Sequence, residues 1–131
     1  MEGDTASGMV KLRRGLDVLK ATGAELRLPF YYGLLAEVCG LDGQVSEALA
    51  SVATGFAFLN KNGEAWSASE LHRVHGDLLL QSGDNLQAQI SYRRAREKAR
   101  ETGSRLSELR ATSRLDGCST LGNDPQNATE R

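Results

Sequence analysis

Aromatic side chains are scarce in this chain: one Trp, three Tyr and three Phe make up 5% of it. A core must therefore be assembled from Leu, Val and Ala, and from close approach of backbones where glycine allows it. Proline occurs only twice, so helices can run with few interruptions. The two cysteines, Cys39 and Cys118, are too few and too far apart for a disulfide framework, and neither sits in a CxxC pair. Both are expected to be small buried residues in a reducing cytoplasm. Lys and Arg number 16 against 17 Asp and Glu, a net charge of -1. That balance excludes a global field drawing the chain to nucleic acid or to an anionic membrane. No apolar run approaches the ~20 residues of a membrane span, and no membrane partner is expected. The opening Met1-Glu2-Gly3-Asp4 is acidic and argues against a secretory signal.

Signatures of chemistry are missing too. There is no nucleophile elbow, no HExxH and no GxGxxG. Gly3 and Gly8 have the gap of a phosphate-binding loop, but Met9 and Val10 follow where a Lys and a Ser or Thr are required. No catalytic residue, cofactor or metal site is expected, and the chain is not expected to be an enzyme. His72 and His75 share one helical face at a spacing that could begin a metal site. No third ligand is placed beside them, so helix packing is the expected role.

What the chain does have is phase. Gly23, Gly63 and Gly103 are spaced by 40 residues, and so are Gly43 with Gly83, Gly15 with Gly55, and Ala48 with Ala88. The apolar stripe Met9, Leu12, Leu16, Leu19 has helical spacing. It returns 40 residues later as Leu49, Val52, Phe56, Leu59, and the third copy keeps a related stripe at Ala88, Tyr92, Ala95, Ala99. Helices are predicted between these stripes, roughly over 29–41, with Tyr31, Leu34, Leu35 and Val38 on the buried face, and over 65–81. Gly23, Gly63 and Gly103 should end helices, and Gly43 and Gly83 should form the tight turns within pairs. Asp84 suits an N-cap and Pro29 a first helical turn.

These positions resemble the tetratricopeptide pattern of small and large residues. Gly76, Leu79, Gly83, Ala88, Tyr92 and Ala95 fill most of it, and Ala36, Cys39, Gly43, Ala48, Val52 and Gly55 fill it more loosely. The period exceeds the tetratricopeptide value of about 34. The run Ser69-Glu70-Leu71-His72-Arg73, continued by Gly76-Asp77-Leu78-Leu79-Leu80, is similar to the C-terminal helical repeats of bacterial predicted ATPases of the multidomain signal-transduction class. These are often fused to class III adenylate or guanylate cyclase domains or to transcriptional regulators. The resemblance covers roughly residues 8–115 and includes none of the ATPase or cyclase domains.

The resemblance implies an all-α, right-handed tetratricopeptide-like solenoid of about five antiparallel helices. Its parts would be a partial repeat over 5–23, repeats over 24–63 and 64–103, and a half-repeat over 104–115, with a disordered tail over 116–131. Leu106, Leu109 and Leu115 are expected to anchor the last helix. The first helix of each pair should line a concave binding face. By position its exposed residues would be Phe30, Glu37, Glu70, Arg73, Asp77, Arg110 and Arg114, a mixed-charge groove for a protein or peptide. That points to a non-catalytic interaction or sensor module, whose partner could be an ATPase or cyclase domain. The alternative is a fragment of a nucleic-acid-associated regulator. Its basic run Arg93, Arg94, Arg96, Lys98, Arg100 is read instead as a solvated helix face, with Glu97 as the i+4 partner of Arg93. The first helix lacks a preceding partner, so Val10 or Val18 should stay in water and favour self-association.

Overall fold

The computed structural model describes residues 2–23, 27–62 and 65–122. All secondary structure among them is helical, in six helices: α1 Glu2–Thr22, α2 Leu28–Leu41, α3 Val45–Asn62, α4 Ala65–Gln81, α5 Asn85–Thr102 and α6 Arg105–Gly122. No helix among them is long and apolar enough to cross a membrane. The expected corner at Gly63, and the expected tail from 123 onward, lie outside the described residues. The boundary expected at 115 is corrected, and with it the count of five. α6 runs on to Gly122 because Leu115 and Cys118 continue a buried stripe with Ser107 and Ala111. Leu106 and Leu109 are not anchors. They are 61% and 62% exposed, on the opposite side of the helix.

Local chemistry sets the corners. Asp84 caps α5, its carboxylate accepting from the Gln87 backbone N–H at 3.1 Å. Pro29 lies in the first turn of α2, where a missing donor costs nothing. Gly23, Gly43, Gly83 and Gly103 all have positive φ. At Gly103 (φ 71°) the left-handed turn lets its own N–H reach back to the last carbonyls of α5, a conformation that a side chain would strain.

Each helix packs on the next, and α4 also packs on both α2 and α6. Contacts between neighbours in sequence run antiparallel: Ser69 of α4 meets Ala95 of α5, and Asp77 meets Tyr92. Contacts between α2, α4 and α6 run parallel and carry the repeat period. Gln81 reaches Gly40 across 41 residues, Arg110 reaches Glu70 across 40, and Arg114 reaches Asp77 across 37.

The main core joins Leu16, Leu28, Tyr32, Leu35, Ala36, Cys39, Ala48, Val52, Val74 and Leu78. Met9, Leu12 and Leu19 of α1 pack at its edge. In α2 the buried face includes Leu28, Tyr32, Leu35, Ala36 and Cys39, so that of the four expected residues only Leu35 is buried. Tyr31, Leu34 and Val38 are half-buried. Both cysteines are free and buried, and burial raises their thiol pKa values.

Among the described glycines the tightest surroundings are at Gly76, where α4 crosses α5. A Cβ there would lie 2.5 Å from Cε1 of Tyr92, which is wholly buried with its hydroxyl tied to Asp77. Gly76→Ala should therefore destabilise the fold by about 1–3 kcal/mol, although alanine favours a helix by about 1 kcal/mol. At Gly117 a Cβ meets nothing within 4 Å, so Gly117→Ala should stabilise by about 0.5–1 kcal/mol. Arg94→Ala, on the solvated side of α5, should stay within about 0.5 kcal/mol of the parent. Urea denaturation of the three variants checks this ranking.

Candidate functional site

Helices α2, α4 and α6 bring the groove residues together because each contributes one side of a shared trough. A hollow of ≈ 430 Å³ is lined by Phe30, Gly33, Leu34 and Glu37 of α2, Glu70, Arg73 and Val74 of α4, and Arg110 and Arg114 of α6. A second hollow of ≈ 240 Å³ shares Glu37, Val74 and Arg114 with it and extends to Gly40, Leu41, Asp77, Leu78 and Gln81. All seven residues expected on the concave face thus line one trough. Leu34, Val74 and Leu41 supply its apolar surface. They escape a search for charged or aromatic positions, although their recurrence in the helical stripe marks them as candidates.

The expectation that all seven are exposed is corrected at Glu70, whose side chain is 16% exposed, and above all at Arg73. It is 6% exposed and sits at the centre of an ionic network. Its Nη1 donates to Asp77 Oδ2 at 3.1 Å and its Nη2 to Glu70 Oε1 at 3.1 Å, with Glu37 Oε1 at 3.5 Å. Arg110 donates to the same Glu70 Oε1 at 3.1 Å, and the Ser107 hydroxyl donates to Oε2 at 3.1 Å. Asp77 Oδ1 accepts from Arg114 Nε at 3.1 Å and from the Tyr92 hydroxyl at 2.6 Å. Burial alone would lower the Arg73 pKa. The fields of Glu37, Glu70 and Asp77 outweigh it and hold the guanidinium above its ordinary value. Burial and the bond to Asp77 push the Tyr92 phenol upward, so it stays a donor.

Three carboxylates face three guanidiniums, so the trough is locally neutral. The network joins α2, α4, α5 and α6. Arg73 is itself buried and held by all three carboxylates, so it is not free to serve a ligand. Arg110 and Arg114 are the accessible cations, with side chains 46% and 37% exposed. The arrangement offers recognition chemistry: an apolar floor, accessible guanidiniums and carboxylates at Glu37 and Asp77.

His72 and His75 lie elsewhere. Their rings pack on Phe56 at 4.7 and 6.3 Å. Burial, then the positive fields of Arg94, His75 and Lys98, pulls the His72 pKa from 6.5 to about 4. His75 is lowered by burial and Arg94. On α5, Arg93, Arg94 and Arg100 are exposed. Arg100 pairs with Glu108 at 2.7 Å and Lys98 with Glu101 at 3.5 Å. Among the described residues no ion pair joins Arg93 to Glu97, contrary to expectation.

The chain is 31% identical over 83 residues to an uncharacterized protein of Rhizobium meliloti (strain 1021). The aligned stretch is 63% of this chain but 8% of that protein, so the relative is a far longer polypeptide. No family model matches the chain, and no solved structure matches it.

Two measurements test the electrostatics. Arg73→Met removes the cation shared by three carboxylates and should destabilise by about 2–4 kcal/mol, near the range for breaking a buried pair. Arg110→Ala, at an accessible position, should cost less than about 1 kcal/mol. Equal costs in chemical denaturation would contradict the central place of Arg73. The second measurement concerns pH. Between pH 6.5 and about 4 the unfolded chain binds a proton that folded His72 refuses. Stability is therefore complete above pH 6.5 and falls as pH drops towards 4. Partial exposure of the ring limits the loss to on the order of 1–2 kcal/mol. His72→Phe should shrink the stability difference between about pH 7 and about pH 4.5 by that amount, read by urea midpoints.

Proposed function

We propose that this chain is a non-catalytic protein-interaction or regulatory module, a tetratricopeptide-like solenoid segment that binds a polypeptide in the α2–α4–α6 trough. One observation carries the reading: three parallel helices, spaced by the sequence period, line a continuous mixed-polarity trough with an apolar floor. Stacked repeats of this kind use such extended surfaces to bind other chains. The trough is neutral and its guanidiniums are already paired, which suits an extended peptide with apolar side chains better than a polyanion. A phosphate backbone calls for a basic excess that the trough does not have.

The right-handed solenoid, and the likeness to the repeat segment of bacterial signalling ATPases and adenylate cyclases, belong to the same proposal. The similarity to a small fraction of a much longer bacterial protein fits a module that works beside other domains, and an ATPase or cyclase domain is the partner class that this likeness suggests. A cytoplasmic setting goes with it.

Selection of a random displayed peptide library on the purified chain tests the reading. Enriched peptides should compete with one another and lose at least about tenfold in affinity on Leu34→Glu, equivalent to about 1.4 kcal/mol. They should keep their affinity on Arg94→Ala. Failure to enrich any peptide, or submicromolar binding of duplex DNA that weakens steeply with salt, would overturn it in favour of the nucleic-acid alternative.

A further inference from the structure

The two ends of the helix stack are complementary. At one end a hollow of ≈ 420 Å³ lies between α1 and α2, lined by Lys11, Arg14, Gly15, Val18, Leu19 and Tyr31. Forty positions on, Gly55, Phe58 and Leu71 take the places of Gly15, Val18 and Tyr31. There the seat is filled by α2. The Tyr32 ring stacks on Phe58 at 5.9 Å, and its Cβ lies 3.1 Å from where a Gly55 Cβ would be. Gly33 sits against Leu71, where an added Cβ would lie 3.4 Å from Cδ2. One period further, α4 fills the place, with the Ser69 hydroxyl bonded to the Ala95 carbonyl. The α1–α2 seat is therefore built to receive a helix of the α2, α4, α6 type. Val18 is left 56% exposed in it.

At the other end, α6 is a helix of that type. In α4 the face turned to α5 holds Ser69 and Gly76. The matching positions on α6 are Leu109 and Asp116, and both are exposed, as is Leu106 one turn away. The pairing of α4 with α5, carried by the period onto α6 and α1, sets Leu109 over Gly15, the position of Ser69 over Ala95. It also sets Asp116 over Leu12, next to Lys11. Among the described residues neither Lys11 nor Arg14 forms an ion pair, so a carboxylate arriving there finds cations. An exposed leucine meets an apolar seat, and opposite charges meet beside it.

We propose that the chain stacks head to tail on a second copy of itself, α6 of one copy seated in the α1–α2 hollow of the next. This rests on the helix register and is independent of any ligand in the trough. The contact is heterologous, so it repeats rather than closes.

The test uses the full chain with light scattering and sedimentation over a concentration series. The wild type should grow past a dimer as concentration rises. Val18→Glu spoils the seat and Leu109→Glu spoils the inserted helix. Each variant alone should be monomeric, with association weakened at least about tenfold. Both positions are exposed, and circular dichroism melts matching the wild type confirm that the fold is kept. Mixed in equal amounts, the two variants retain one good end each and should form a 1:1 dimer and nothing larger. A wild type that stays monomeric at high micromolar concentration overturns the proposal. So does a wild-type dimer indifferent to Leu109→Glu, or a mixture of variants that fails to associate.

Discussion

The buried guanidinium of Arg73 is the constraint around which the helices are arranged. It sits on α4, which touches both α2 and α6, and it must be answered by carboxylates once it leaves water. Glu37 answers from α2, Glu70 and Asp77 from its own helix. Those acids in turn hold Ser107, Arg110 and Arg114 of α6 and the phenol of Tyr92 on α5. Satisfying one buried charge thereby fixes the register of four helices. The same satisfaction makes the trough a neutral surface rather than a charged one.

Tyr92 links this network to the packing. Its ring lies against Gly76 and its hydroxyl on Asp77, one residue on, so the close crossing of α4 and α5 and the placement of a carboxylate are one event. With so few aromatics in the chain, four of the rings are used at crossings: Tyr32 on Phe58 and Gly55, Phe56 on His72, and Tyr92 on Gly76. The histidines are part of this economy. They serve as flat packing partners, and the exposed cations of α5 help to keep His72 neutral.

Much of the helical layout was legible because its signals are local. Glycines with positive φ at 23, 43, 83 and 103, the Asp84 cap and the Pro29 start need only a few neighbouring residues to act. The membership of the trough was also legible, since a period places one residue per repeat on the same face. The states of those residues were not. Position alone marks Arg73 as exposed like Arg110, and only the convergence of Glu37, Glu70 and Asp77 explains why it is buried. The last helix misled for a related reason. Leu106 and Leu109 are the larger side chains, yet the smaller Ser107, Ala111 and Cys118 face inward with Leu115. The inward face was chosen by what α4 and α5 could accommodate, and a size ranking along α6 carries none of that information.

By itself, the sequence determined that the chain is helical, where most helices turn, and which positions share a face, because hydrogen bonding within helices and glycine backbone freedom are short-range effects. Tertiary structure decided which charge is buried, which leucines stay wet and how far the last helix extends. Those outcomes depend on groups some 40 residues apart meeting at distances near 3 Å, where desolvation and pairing compete and no local pattern settles the balance.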